Sequence, residues 1–161
     1  LMLRTQAERC MGANLTVNNL AAGLRLPCGA ILKNRLAKSA MTEGLADSRN
    51  RATARHARLY RRWAEGGAGL LLTGNVQVDR AHLERPGNVV FDARPDDVHR
   101  VALAEWVKAG TAHGTHLWVQ LNHAGRQTPK AVNPSPKAAS AVPVALPGKQ
   151  FGLPVALTGA E

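Results

Sequence analysis

The chain has 161 residues, of which 45% are hydrophobic, and its 21 lysines and arginines against 11 acidic residues give a net charge of +10. No apolar run approaches the roughly 20 residues of a membrane-spanning helix, and the apolar content is high for a disordered chain. The composition therefore predicts a globular protein of about one domain, with no membrane contact.

Its two cysteines, Cys10 and Cys28, form neither a Cys-x-x-Cys pair nor a disulfide framework. The first dozen residues lack the basic start and apolar centre of a signal peptide. We therefore expect a reducing, cytoplasmic setting.

The predicted elements alternate between helix and strand. Residues 35–40 have the pattern of a short strand, although the same pattern could open a helix. Apolar positions at helical spacing predict a helix over residues 52–65, which Gly66 and Gly67 end. Residues 69–76 are a continuous apolar run bounded by glycines, which is typical of a buried parallel strand.

The same order then recurs. Pro95, Asp96 and Asp97 open a second helix, which ends between Gly110 and Gly114. Residues 115–121 follow as a third strand, with a composition that suits a buried sheet. The residues that we predict to face inward from the second helix are Val98, Val101, Ala102, Trp106 and Ala109.

The lengths of the connections indicate where a ligand would bind. Helix-to-strand turns are short and rich in glycine, whereas the strand-to-helix connections at residues 41–51, at 77–94 and after 122 are long. In α/β folds the ligand site lies at the carboxyl ends of the strands. This asymmetry points to Met41, Gly74 and residues 120–126.

The last part of the chain, from Thr128, is rich in proline, which excludes a regular helix or a central strand. We expect an ordered excursion rather than a flexible linker, because apolar residues are spaced along it as anchors. These anchors are Val142, Val144, Leu146, Phe151 and Leu153.

The basic charge offers an alternative function, since a strong excess of lysine and arginine is common in nucleic-acid-binding proteins. The densest basic residues lie on the helix face opposite Leu59, Tyr60 and Trp63, which favours a solvated face, and no aromatic residues interleave with them to stack bases. Nucleic acid is therefore not the favoured partner. The alternative that stays open is a non-catalytic basic protein that binds acidic partners or nucleic acid without specificity. The residues concerned are Arg49, Arg51, Arg55, Arg58, Arg61 and Arg62.

The densest polar group is the segment 120–126, which combines Gln120, Asn122, His123 and Arg126 just past a strand. Such a group either binds a ligand or forms hydrogen bonds with the backbone of its own loop, and spacing alone leaves both interpretations open.

His113 and His116 do not form a metal pair, because Gly114 breaks the helical spacing and no cysteine or carboxylate is placed for zinc. We therefore expect no metal. The motifs of P-loop, dinucleotide-binding and serine hydrolase sites are missing from the sequence.

Four segments, at residues 32–42, 59–76, 85–88 and 120–126, together resemble the Old Yellow Enzyme family of FMN-dependent NADH:flavin oxidoreductases and ene-reductases. The resemblance covers about residues 20–161, including the proline-rich excursion 128–161, and leaves 1–19 as an unmatched extension. It implies an α/β fold that is the amino-terminal part of a (β/α)₈ TIM barrel, truncated after about three strands.

The same resemblance implies which residues bind FMN. Ser39, Ala40, Met41 and Thr42 match the segment that lines the flavin ring, although Ala40 stands where proline is common. Gly74 matches a small residue at the ring edge, and Gln120 matches a glutamine that hydrogen-bonds the pyrimidine part of the ring. Thr42 matches a residue near the C4 oxygen, where a hydrogen bond to the ring raises the reduction potential.

The activity implied by the resemblance is hydride transfer from NADH or NADPH, through FMN, to an activated alkene or another small-molecule electron acceptor. The family's catalytic groups and its grip on the FMN phosphate have no counterpart in this sequence. Arg126 matches a residue that either orients the loop or contacts the ligand, and we favour the structural role. Unpaired sheet edges lead us to expect self-association.

Overall fold

A computed structural model of the chain describes residues 18–148 and 150–159. The extension expected over residues 1–19 lies outside the described residues, except for its last two, and so does Cys10. The elements in chain order are α1 (Asn18–Ala21), β1 (Leu24–Arg25), β2 (Ile31–Leu32), β3 (Ala37–Lys38), α2 (Ala54–Glu65), β4 (Leu70–Gln77), β5 (Val89–Val90), α3 (Asp97–Gly110), β6 (His116–Asn122), β7 (Lys137–Ala138) and β8 (Val155–Ala156).

A parallel sheet with the order β3, β4, β6 forms the centre of the fold. β4 pairs with β3 at Leu70 and Leu71, and it pairs with β6 along its whole length, with a register shift after Leu72. β5 extends the sheet beside the carboxyl end of β4, where Val89 pairs with Val76. Residues 35–40 thus contain a strand and no helix, and the alternation of parallel strands and helices confirms the predicted α/β fold.

Helices α2 and α3 pack against each other and against one face of the sheet. Tyr60 and Leu71 are completely buried, and the Trp106 ring lies 4.6 Å from that of His56 and 5.2 Å from that of Tyr60. The His56 ring also accepts a hydrogen bond from the Thr53 amide at the start of α2. The arginines of α2 lie on the opposite, exposed face. The predicted solvated helix face is therefore confirmed for Arg55, Arg58, Arg61 and Arg62, whereas Arg49 and Arg51 precede α2.

The predicted inward face of α3 is wrong at two positions. Val98 and Val101 are 61% and 66% exposed, whereas His99 is buried with Trp106 and Ala109. The buried stripe follows the contact of Trp106 with α2 and the close fit of α3 to Leu117 of β6. Val98 and Val101 each lie one residue before this stripe, and the rotation of about 100° per residue turns them away from it.

The prediction that residues 115–121 lie in a buried sheet is also wrong, although the strand itself is present. Trp118, Val119 and Leu121 are 42%, 47% and 63% exposed. β6 pairs with β4 along one edge, and no strand within residues 18–148 and 150–159 pairs with its other edge. The apolar composition of β6 is thus that of a central strand, while its described position is at the edge.

Among its described residues, 128–148 and 150–159, the proline-rich segment contains only the two-residue strands β7 and β8, which pair in parallel. Of its five predicted anchors, Val142, Leu146 and Leu153 are more than half exposed, so that these assignments are wrong. Backbone hydrogen bonds hold the segment instead. They join Lys130 N to Gln150 O, Gly152 N to Thr128 O and Leu153 N to Pro134 O, at 2.8–3.0 Å.

The part of the chain that the structure describes contains helices of at most 14 residues. None of its helices combines the length and the apolar character that crossing a bilayer requires.

The aromatic core provides a matched pair of substitutions. Trp106 is 4% exposed and Trp118 is 42% exposed. Trp106→Ala would leave a cavity beside Tyr60, so we expect the free energy of unfolding to fall by about 3–5 kcal/mol, whereas Trp118→Ala should cost less than about half as much. Urea denaturation of both variants measures this difference. Equal losses would contradict the packing described here.

Candidate functional site

Three segments predicted to carry the site meet at the carboxyl ends of neighbouring strands. Residues 39–43 follow β3, Gly74 and Asn75 lie near the end of β4, and Gln120 lies in β6. Asn75 and Gln120 are register partners, which places their side chains next to each other. The structure therefore brings the predicted residues together on one rim of the sheet.

Gly74 has no room for a side chain. A Cβ atom at this position would lie 2.7 Å from the Thr42 Cα, and closer still to the Met41 carbonyl and the Glu43 carboxylate. The Gly74 amide donates a hydrogen bond of 3.1 Å to Glu43 Oε1. Glycine at position 74 thus lets the chain that leaves β3 lie directly on β4.

Glu43 joins that chain segment to helix α2. Its Oε1 accepts hydrogen bonds from the Tyr60 hydroxyl and from the Gly74 amide. Burial, together with the hydrogen bond to Glu43, raises the pKa of Tyr60, so the hydroxyl stays a donor. Glu43 was not predicted from the sequence. The one feature that could have indicated it is that its carboxyl group follows closely on the strand predicted over residues 35–40.

Lys38 supports the same region from the neighbouring strand. Its Nζ donates a 2.7 Å hydrogen bond to the Leu72 carbonyl and lies 4.1 Å from the centre of the Trp63 ring. Burial lowers the pKa of Lys38, and the charge of Glu43 partly opposes this shift. This lysine lies in the layer between the sheet and α2, on the side away from the exposed face.

A row of hydrogen bonds links all three strand ends. Gln120 Nε2 donates to Asn75 Oδ1, and Asn75 Nδ2 donates to Glu84 Oε2 at 2.9 Å. The Thr42 hydroxyl donates to the same Glu84 oxygen at 2.7 Å. We call Gln120, Asn75, Glu84 and Thr42 the strand-end row.

Glu84 is the central acceptor of this row and was not predicted. Although burial acts to raise the pKa of Glu84, hydrogen bonds from Asn75, Thr42 and Arg85 hold it below its usual value. The carboxylate therefore stays ionised at neutral pH. The motif at residues 85–88 lay next to it in the sequence, and this proximity was the only signal that could have pointed to it.

The remaining predicted residues differ in their accessibility. Met41 is 51% exposed, Ser39 and Gln120 are also exposed, and Ala40 and Thr42 are half-buried. Gly74 is buried under residues 41–43. Five of the six candidate residues can thus be reached from solvent, while Gly74 shapes the site from below.

A cleft of about 530 Å³ opens beside the strand-end row. Asn75, Glu84, Arg85, Asn122 and His123 form its polar wall, and Phe151 closes it from the proline-rich segment. Asn122 donates to the Gln77 side chain, and Arg126 lies outside this lining. Of the polar residues at 120–126, Asn122 and His123 therefore line the cleft, Asn122 also forms a hydrogen bond within the protein, and Arg126 does not reach the cleft.

Asp79, His82 and His123 place one ligand atom each within 4.8 Å of one another. His82 Nε2 accepts a hydrogen bond from the Lys137 amide, so the proton is on Nδ1, which donates to Asp79 at 2.7 Å. The His123 ring stacks on this imidazole at 4.3 Å. Because both His82 nitrogens are engaged, this group is a support for the loop after β6 rather than a metal site.

Gly74 can be tested against a glycine in open space. A Cβ at Gly159 would meet nothing within 4 Å. Gly74→Ala should lower the free energy of unfolding by about 1–3 kcal/mol through overpacking, whereas Gly159→Ala should leave it unchanged within about 0.5 kcal/mol. Thermal and urea unfolding measure both variants. A stable Gly74→Ala variant would show that residues 41–43 do not lie on β4.

Glu84 predicts a pH dependence of stability. Since the pKa of folded Glu84 is lowered, its contribution is complete above the unfolded pKa of about 4.3 and is lost as the pH falls through the folded value. Glu84→Gln should therefore lower stability at pH 7, and its difference from the wild type should shrink below about pH 4. Urea midpoints measured from pH 3 to 8 test this, with Glu105→Gln, on the exposed face of α3, as the control. A difference that does not change with pH would contradict the ionised row.

The chain is similar to known proteins both in sequence and in fold. No protein-family model matches it. It is 41% identical, over 107 residues, to the NADH-dependent flavin oxidoreductase iliE of Hypocrea jecorina, a match that covers 66% of this chain and 27% of that protein. It is also 41% identical, over 112 residues, to the NADH-dependent flavin oxidoreductase iccE of Talaromyces variabilis, covering 69% of this chain and 27% of that protein.

Among solved structures, the Old Yellow Enzyme homologue of Zymomonas mobilis superposes with a TM-score of 0.73 at 24% identity. The match covers 88% of this chain and 40% of that one. This chain thus spans about a quarter of the length of the curated relatives it matches. The chain is a relative of the NADH-dependent flavin oxidoreductases, and it has the fold of part of the (β/α)₈ barrel of Old Yellow Enzyme homologues.

Proposed function

We propose that this chain forms part of the active site of an FMN-dependent oxidoreductase, which passes a hydride from NADH or NADPH to a small-molecule acceptor. The relatives named above support the reaction class. The observation that carries the proposal is the strand-end row, which joins Thr42 and Gln120 through Asn75 and Glu84 beside an accessible face.

The donors and acceptors of the site fit the edge of a flavin ring. That edge alternates N–H and C=O groups, and a carboxamide can both donate to and accept from it. Gln120 donates its N–H to Asn75, and its Oε1 accepts no hydrogen bond within residues 18–148 and 150–159. Gln120 is therefore set to accept from a ring N–H, while Asn75 fixes the direction of its side chain.

Met41 supplies the apolar part of the fit. Its side chain is 51% exposed although it follows directly on the sheet, and its backbone is held against Gly74. A planar aromatic ring placed there would cover this side chain and remove apolar surface from water. Ser39 and Ala40 continue the same segment.

We propose for Thr42 a role that differs from the one implied by its motif. Its hydroxyl proton is directed to Glu84, which leaves the oxygen lone pairs for a ligand. We propose that Thr42 faces the ring as a hydrogen-bond acceptor, and that it donates to a ring oxygen only after turning away from Glu84.

FMN, when bound, supplies the hydride transfer between the nicotinamide and the acceptor. The residues described here orient the ring, through Gln120 and Thr42, and shield one side of it from water, through Met41. We propose that the group that protonates the acceptor and the grip on the FMN phosphate belong to other parts of the barrel.

Gln120→Ala tests the proposal through flavin binding. The purified chain, mixed with FMN and passed through gel filtration, should retain visible flavin absorption. Loss of the Gln120 hydrogen bonds should weaken FMN binding about tenfold, because such bonds contribute about 1–2 kcal/mol. Glu105→Ala, an exposed change on α3, should bind FMN like the wild type.

Each other outcome has a definite meaning. If the wild-type chain retains no flavin, the proposal fails for this chain by itself. Equal retention by the wild type and Gln120→Ala would remove Gln120 from the site. A chain without flavin that binds nucleic acid, with affinity falling steeply in salt, would support the basic, non-catalytic alternative.

A further inference from the structure

A second polar cavity lies apart from the strand-end row, between the loops that follow β3 and β5 and the start of α3. Its volume is about 240 Å³, and it shares no lining residue with the cleft beside the strand-end row. Its wall contains Arg49, Arg51, Arg80, Arg94, Asp92 and His99. We call this cavity the arginine pocket, and we propose that it binds a phosphate group.

The charges of the pocket favour an anion. Four arginines and two aspartates, Asp92 and Asp96, line the pocket. Asp47 pairs with Arg51 behind the lining, so that four guanidinium groups face three carboxylates and the pocket keeps an excess of positive charge. Guanidinium groups also match the oxygens of phosphate in paired hydrogen bonds.

Two of the arginines are already held in place. Arg51 donates to Asp47 at 2.8 Å and to Asp96 at 3.3 Å, and Arg80 donates twice to Asp92, at 2.6 and 2.9 Å. An arginine has five N–H donors, so both keep donors for a ligand. The aspartates thus fix these two side chains without using up their hydrogen-bonding capacity.

The other two arginines are uncommitted. Arg49 and Arg94 are exposed, and neither side chain forms an ion pair in the part of the chain that the structure describes. They line the same pocket as the fixed pair. Arg49 and Arg94 can therefore close on an anion, and their removal should disturb the fold little.

His99 gives an independent sign of a missing ligand. Its side chain is 94% buried in the wall of the pocket, and its Nε2 has no hydrogen-bond partner among the described residues. Buried polar groups in proteins nearly always have a partner. As the Nε2–H tautomer, His99 would donate to an oxygen of the bound phosphate.

Inorganic phosphate is the first probe, and isothermal titration of the full chain is the measurement. We expect the double variant Arg49→Gln with Arg94→Gln to bind phosphate at least tenfold more weakly than the wild type. Arg58→Gln with Arg61→Gln is the matched control, since it removes two exposed arginines from α2. The control should bind phosphate within twofold of the wild type.

The outcomes distinguish specific binding in the arginine pocket from binding that depends only on the net charge of the protein. If the wild type binds no phosphate, or if both double variants lose affinity equally, the proposal is overturned, because net charge then explains any binding. Circular dichroism checks that the variants are folded, and Arg49→Lys with Arg94→Lys, which keeps the charge but loses the guanidinium fork, should fall between the wild type and the glutamine variant.

The source of the phosphate group is distinguished by a second probe. Tighter binding of AMP than of inorganic phosphate would assign the pocket to the phosphate of a nucleotide, and equal binding would assign it to the free ion. FMN retention by the glutamine variant should equal that of the wild type. A failure of the arginine pocket is therefore distinct from a failure of the flavin site.

Discussion

The hydrogen bonds of Glu43 connect three elements on which the site depends: helix α2, strand β4 and the chain that follows β3. One carboxylate oxygen accepts from Tyr60 of α2 and from the Gly74 amide of β4, while its own residue follows β3. A carboxylate that is partly withdrawn from water needs hydrogen-bond donors in place of the water it loses, and Tyr60 and Gly74 supply them to Glu43. The chain at residues 41–43 is thereby pinned to β4, and the position of Thr42 at the start of the strand-end row follows from it.

The positions of the site residues depend on the packing of the aromatic core. Trp106 and Trp63 pack edge-on against the Tyr60 ring, and Tyr60 donates a hydrogen bond to Glu43. Glu43 in turn holds the segment that carries Met41 and Thr42. Packing of the aromatic core therefore has a geometric consequence at the site, although none of the core residues can reach a ligand there.

Sequence reasoning could predict the elements whose patterns are local. The apolar run between glycines predicted β4, and the helical spacing of apolar residues predicted α2. The rule that ligands bind at the carboxyl ends of parallel strands was enough to predict that Met41, Gly74 and Gln120 lie together. Glu43 and Glu84 were missed, because the residues that hold them in the site, Tyr60 and Gly74 for Glu43 and Thr42 and Asn75 for Glu84, lie 9 to 42 residues away in the sequence. Periodicity also failed for Val98, since the buried face of a helix depends on which neighbours it meets.

The exposure of β6 has a direct bearing on what this chain can do by itself. Parallel sheets are normally covered on both faces, yet within the described residues β6 is an edge strand, and its Trp118 and Gln120 are open to solvent. The strand-end row nevertheless forms, because each of its hydrogen bonds runs between adjacent strands or to the loop after β4. The strand-end row is therefore built from contacts between neighbouring elements, and the flavin affinity proposed for it can be tested separately from the phosphate grip and the proton donor.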